Sequence, residues 1–440
     1  MRKLLLTILI FSVSALLTFA QTGGQTDSQA SEGSVYSSFG VGLPVDFGSS
    51  SARGMGLNGT SYIEPFVPSL ANPAHWGHTV YGMASGDVGI TNYSSEDNFG
   101  SAKHSNLSIS HFQVQLPIYK GKLGVSASFT PYTRTAFETI ETGSRVIGSG
   151  NTRNTLDFRT ETLGSGGISR YEFGVGWKIN NTIAVGYAAS LVSASIDNRV
   201  FTEISDVNEV NNFAPVNFTL QNSGSGFGQR AGVYLEFPSL LNENDRLSIG
   251  TSVTFPVKID ARRTQERVFN SNDSDQLEED ENQIAEGTVE LPLGINAGVT
   301  YNPSNKYGIT VEGLFEQWSG YSNELRSTRN TSFTDRLKIG TGMKFYPFAS
   351  GSDKFLSQFK YSVGATYDTG HLEVNGEDIN TLMFSAGLGL LSPNSNSSID
   401  ISLEYGFRGT NSQNLVKEDI WGVNVSLNLA ELFFFRPKLQ

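Results

Sequence analysis

Cysteine is missing from all 440 residues, which excludes a disulfide framework, a Cys-ligated metal centre and a lipid anchor on a processed N-terminal cysteine. Histidine occurs only 5 times; His75 and His78 are the one close pair, and the spacing of a metal site is lacking. No run beyond the first residues approaches the roughly 20 apolar positions that a membrane-spanning helix needs. Positive charge is scarce too, with 31 Lys and Arg against 43 Asp and Glu, a net charge of −12 and no basic cluster. Phosphate contacts need clustered cations, so a nucleic-acid partner is excluded. There is no Gly-x-Ser-x-Gly, and no nucleophile stands beside a recognisable base. The chain is read as not an enzyme, with no cofactor and no metal.

What is present is a rhythm. After residue 78, segments of ten to fifteen residues with alternating apolar side chains recur about fourteen times. One carries Leu247, Ile249, Thr251, Val253 and Phe255 on one face and Ser248, Gly250, Ser252 and Thr254 on the other. Alternation of this length suits a tilted strand with one face in lipid and one in a polar lumen. The composition agrees: 38% hydrophobic residues are too few for a helical membrane protein, while 47 glycines and 29 phenylalanines suit a lumen face and a lipid face. The expected fold is all-β, a transmembrane antiparallel β-barrel of about 14 strands with an N-terminal plug.

Connections alternate in length. Residues 119–122, Asn180-Asn181 and 302–305 have tight-turn composition. Residues 136–166, 197–224, 261–286 and 409–417 read as long or polar loops between strands such as 122–135, 167–179, 246–260 and 287–301. Short turns belong on the periplasmic side and long loops outside. The acidic stretch at 273–281 reads as a solvated charge run. In the second strand the apolar phase changes at His111, which marks a bulge.

The N-terminus opens with Arg2 and Lys3, an apolar stretch from Leu4 to Leu17, and Thr18-Phe19-Ala20. This is the pattern of a cleaved export signal at 1–20, so the mature chain is secreted or sits in an outer membrane, and the barrel rhythm selects the bacterial outer membrane. Residues 21–33 form a polar, flexible leader. Residues 34–78 are apolar without alternation and are expected to plug the barrel formed by 79–432, with 433–440 as a periplasmic tail. Phe39, Val41, Leu43, Phe47, Phe66 and Leu70 are the candidate ligand-pocket residues, although plug packing would require the same side chains. Asn72 suits a helix N-cap and Pro73 the first helical position, so Asn72-Pro73-Ala74 should start a helical turn that redirects the chain. Pro131 removes a ladder donor and marks a kink or the end of a strand.

The stretch from Ser51 to Thr60, Ser-Ala-Arg-Gly-Met-Gly-Leu-Asn-Gly-Thr, precedes Asn72-Pro73-Ala74 and the first strand. Together they resemble the N-terminal hatch of the long-chain fatty acid transporter family (FadL/TodX). Phe129-Thr130-Pro131-Tyr132 is similar to that family's third-strand segment, with Tyr132 and Thr133 replacing Phe and Gly. The resemblance implies a fourteen-stranded barrel plugged by its N-terminus, with the kink at Pro131 accompanying an opening through the wall toward lipid. The expected function is passage of hydrophobic or amphipathic small molecules, of the fatty-acid or hydrocarbon class, across a membrane whose lipid is the other partner. Barrels resembling the family also serve as partner-binding components of a protein secretion apparatus, which is the alternative. A diffusion porin with a movable plug is the third reading.

Overall fold

Alternating side chains along long segments give the chain no way to bury its apolar stripe except against another apolar medium, and the architecture follows. The computed structural model describes residues 33–147, 154–206, 215–269, 284–325, 331–347, 355–392 and 396–431. Fourteen antiparallel strands close into a ring. We number them β1 Gly82–Glu96, β2 Ser101–Tyr119, β3 Leu123–Ile147, β4 Asn154–Lys178, β5 Ile183–Asp206 and β6 Val216–Pro238. The kinked strand β7 comprises Arg246–Thr254 and Val257–Phe269, and β8 comprises Ala285–Leu291 and Gly294–Ser304. They are followed by β9 Tyr307–Glu316, β10 Arg336–Phe345, β11 Phe359–Asp368, β12 Thr381–Leu391, β13 Ser398–Arg408 and β14 Lys417–Glu431. Gly82 pairs with Glu431, so the first strand bonds to the last and the ring has no open edge at its seam of closure.

The wall is inverted relative to a water-soluble protein. Along β13, Ile399, Leu403 and Tyr405 are exposed, while Ser398, Asp400 and Ser402 are buried; along β14, Trp421, Leu427 and Leu429 are exposed over buried Asn424, Ser426 and Asn428. Apolar outside and polar inside is the signature of a strand that faces lipid.

Strand lengths correct the expected loops. The described residues of 136–166 and 197–224 are largely ladder, and the flanks 261–269 and 285–286 are too: β3 and β4 have 25 residues each, β5 has 24 and β6 has 23. A bilayer crossing takes about 9–11 residues, so one side of the wall rises well beyond the membrane. Two strands predicted as continuous are broken, β7 at Phe255-Pro256 and β8 at Pro292-Leu293, where proline removes a ladder donor in each. Ser110 is the extra residue of a bulge, because Asp87 pairs with His111 and Val88 with Ile109. The signal at 1–20, most of the leader, the acidic run at 273–281 and the tail at 433–440 lie outside the described residues.

Candidate functional site

Residues 33–81 run through the interior of the ring and are tied to it at many levels. Glu418 of β14 accepts from Ser34 Oγ at 2.8 Å and from Val35 N at 3.0 Å. Asp46 meets Lys338 Nζ at 2.5 Å and Arg336 Nη2 at 3.5 Å on β10. Burial raises the Asp46 carboxyl, but Lys338 and Arg336 outweigh it and hold the group well below the usual carboxylate range. Asp87 of β1 accepts from Ser50 Oγ. Glu312 of β9 accepts from the backbone N–H groups of Asn58, Gly59 and Ser61 at 3.1, 3.0 and 3.1 Å. Lys360 of β11 pairs with Glu64, and Arg230 of β6 donates to Ala71 O at 3.0 Å while gripping Glu172 of β4.

Asn72-Pro73-Ala74 begins a 3-10 turn, Pro73–His78: Asn72 Oδ1 accepts from Ala74 N at 3.0 Å, and Pro73 stands at the first position. Asn72 Nδ2 also donates to Thr60 O at 3.1 Å and Val233 O at 3.0 Å. The turn lies flat on the wall because Gly124, Gly176, Gly186 and Gly232 have no Cβ; one on Gly186 or Gly176 would strike Pro73, and one on Gly124 would strike Trp76.

The wall carries a seam. Pairing between β2 and β3 ends at Phe112 and Phe129. Above that level β2 bonds only to β1, while β3 continues against β4. The third-strand ladder slips one residue between Pro131 and Thr133, turning Tyr132 inward. Opposite the slip, Gly166 and Gly167 adopt φ +100° and +143°, and a Cβ on Gly167 would meet Thr133 O. The vacated edge of β3 is taken by the N-terminal segment: Leu43 pairs with Arg134 and Pro44 with Thr133. Val45 N donates to Tyr132 O at 3.0 Å, and Thr133 Oγ1 donates to Val41 O at 2.6 Å.

Apolar space lies in separate compartments. At the long-loop end, a cavity of about 440 Å³ is lined by Phe39, Phe137, Val200, Phe218 and Leu220. It adjoins a void of only about 30 Å³ among Val41, Ile168, Ile196, Ile259 and Val289. At the short-turn end, a cavity of about 660 Å³ includes Ile63, Phe66, Val67, Tyr81 and Met83. The six candidate pocket residues therefore do not form one pocket. Phe39 lines the outer cavity, Val41 the central void, Leu43 the seam and Phe66 the inner cavity. Phe47 packs on Tyr132 with Arg170 over its ring at 4.1 Å, and Leu70 is buried. Sequence reasoning missed Asp46, Glu312, Arg336 and Glu418. Their one signal is a charge at the inward parity of an otherwise alternating strand, or alone in an apolar segment.

A family model described as BamG matches residues 1–440. No curated protein matches the chain. Among solved structures it is similar to a Pseudomonas aeruginosa FadL homologue, at 12% identity and TM-score 0.57 over 89% of this chain and 99% of that one. It is also similar to the CymD monoaromatic hydrocarbon channel, at 14% identity and TM-score 0.53 over 90% and 99%. A third is the Ralstonia pickettii toluene transporter TbuX, at 14% identity and TM-score 0.51 over 88% and 98%. At these identities the likeness establishes the fold.

Proposed function

The chain belongs to the BamG family, and from the compartments along its interior we propose that it is an outer-membrane channel for hydrophobic or amphipathic small molecules. The fatty-acid or hydrocarbon class is the substrate, and residues 34–78 are the plug. The observation that carries this reading is the outer cavity, whose apolar walls Phe39, Phe137, Phe218 and Leu220 stand next to a wall seam edged by the plug itself. Apolar ligands partition into such a cavity as their surface leaves water. The clamps on the plug oppose a wide wet path, which an ion or sugar would require. The described hydrocarbon channel and toluene transporter of the same fold support the substrate class. The export signal at 1–20 is part of the same proposal.

The test is uptake of a fluorescent long-chain fatty acid or toluene by cells carrying Phe39→Asp or Phe218→Asp. A buried charge in the cavity should slow entry by about tenfold or more. Uptake equal to that of the parent, with the variant present at normal level in the membrane, would reject the outer cavity as the entry site.

A second reading, a partner-binding component of a protein secretion apparatus, is favoured by a different observation. The tall wall of β3 to β6 exposes Ile140, Val146 and Ile147 above the membrane, where no lipid covers them. Extraction in mild detergent and mass spectrometry separates the two: co-purified lipid or hydrocarbon supports passage, and a stoichiometric protein supports docking.

A further inference from the structure

We propose that the inner cavity is a binding site for an anionic amphiphile, with an apolar chain against Phe66 and its neighbours and a carboxylate or phosphate against Lys344 and Lys178. The cavity lies at the short-turn end, beside Asn302, Ser304, Asn305 and Tyr346, and is distinct from the outer cavity and the seam. Its volume of about 660 Å³ falls inside the range of about 300–1,000 Å³ common for small-molecule sites.

Two further observations point to a ligand. The first is unbalanced charge. Four cations line the cavity, Lys178, Arg246, Lys344 and Lys360. Lys360 is neutralised by Glu64 and Asp400, and Arg246 stands 3.7 Å from Glu236. Lys344 and Lys178 make no ion pair among the described residues, and Lys344 instead places Nζ 4.3 Å over the Tyr62 ring. A cation on an apolar wall costs free energy that an incoming anion returns. The second is Phe66, which follows Pro65 and has φ +72°. A bulky residue rarely occupies that region, and such backbone is held by its surroundings at sites where the side-chain direction matters. Here it directs the ring to the cavity, edge-on to Tyr81 at 5.1 Å.

The purified full chain in a nonionic detergent would be titrated with 11-(dansylamino)undecanoate and with its methyl ester. The acid should bind about tenfold or more tightly than the ester. Lys344→Met should bring the acid down to the level of the ester, Phe66→Ala should weaken both, and Phe99→Ser in the exposed turn between β1 and β2 should change neither. Heat-modifiable migration checks assembly, and Lys178→Met reads the same charge if Lys344→Met fails to assemble. Equal affinity for acid and ester, unchanged acid binding in the assembled lysine variant, or loss of binding in Phe99→Ser would overturn the site. Displacement of the probe by palmitate identifies a free carboxylate and displacement by phosphatidylglycerol vesicles alone a lipid headgroup; displacement by neither overturns it as well. Binding retained in cells that show no uptake refutes the conduit alone, whereas uptake retained without binding refutes this site alone.

Discussion

Glu312 shows how single residues hold the interior together. One carboxylate, 4% exposed, accepts three backbone N–H groups of the N-terminal segment. Glu312→Ala leaves those donors unpaired at about 1–3 kcal/mol each. Amide exchange at 57–62 should therefore accelerate strongly, and Glu312→Gln, which keeps one acceptor, should fall between; exchange unchanged in both would show that the carboxylate is incidental. His75 and His78 add a pH dependence. Both rings lie edge-on to Tyr234, at 4.8 and 5.2 Å. Burial pushes His78 down to about 4, with Lys178 adding, and burial with His78 beside it pushes His75 further below its usual value. A released segment takes protons near the ordinary value of 6.5, so the seated form loses stability as pH falls from there toward 4. Asp46, held low, loses its contribution only below the usual carboxylate range and does not share that window. Limited proteolysis at 63–78 should rise between pH 7 and pH 5, and a flat profile would place the histidines elsewhere. Capping by Asn72 was legible because the N-cap chemistry is local. The roles of Glu312 and Asp46 were not, because their partners lie 254 and 292 positions away in the chain.

At the scale of the element, the departure of β3 from β2 above Phe112 sets the candidate route through the wall. A strand can leave its neighbour only if something else takes its free donors and acceptors, since an open edge cannot stay bare in lipid. Leu43 and Pro44 do so in part, so the N-terminal segment is also a strand of the wall. Cysteine is absent from the chain, and Leu43 and Arg134 are directly paired. The pair Leu43→Cys with Arg134→Cys should therefore oxidise to one unambiguous disulfide at a separation suited to the bond. If ligands cross the seam, uptake should stop in the oxidised form and return with reductant; uptake indifferent to the bond would route ligands elsewhere. Proline marked the slip at 131 from sequence, and the phase change at His111 marked the bulge. Strand ends were the poor part. In 138–147 and 154–163 no residue is buried on either face, so the apolar alternation that defines a strand fades while the ladder persists. Gly166 looked like a loop glycine and Gly167 like the start of a strand, yet both lie inside the ladder opposite the slip.

For the whole molecule, lipid-facing apolar residues and interstrand bonds build a wall that closes on its own ladder, whereas many hydrogen bonds and ion pairs of the interior segment go to that wall. That asymmetry was readable in outline, since alternation after residue 78 and its loss before it separate wall from interior. It was not readable that charged side chains of the wall join the interior segment at several levels. The asymmetry leads to a clear expectation for removing 34–78 while keeping 1–33: a ring still heat-modifiable in detergent, because its ladder from Gly82 to Glu431 is intact. Its single-channel conductance in a planar bilayer should be far larger than that of the parent, since Glu312, Arg336, Arg230 and Glu418 would then line an aqueous lumen instead of binding the segment. Conductance equal to the parent in an assembled ring would mean that the wall collapses onto itself or that the pathway is closed elsewhere. An unassembled ring would mean that the Leu43–Pro44 strand is needed to hold β3 in place, and restoring only 33–45 should then rescue assembly without closing the lumen.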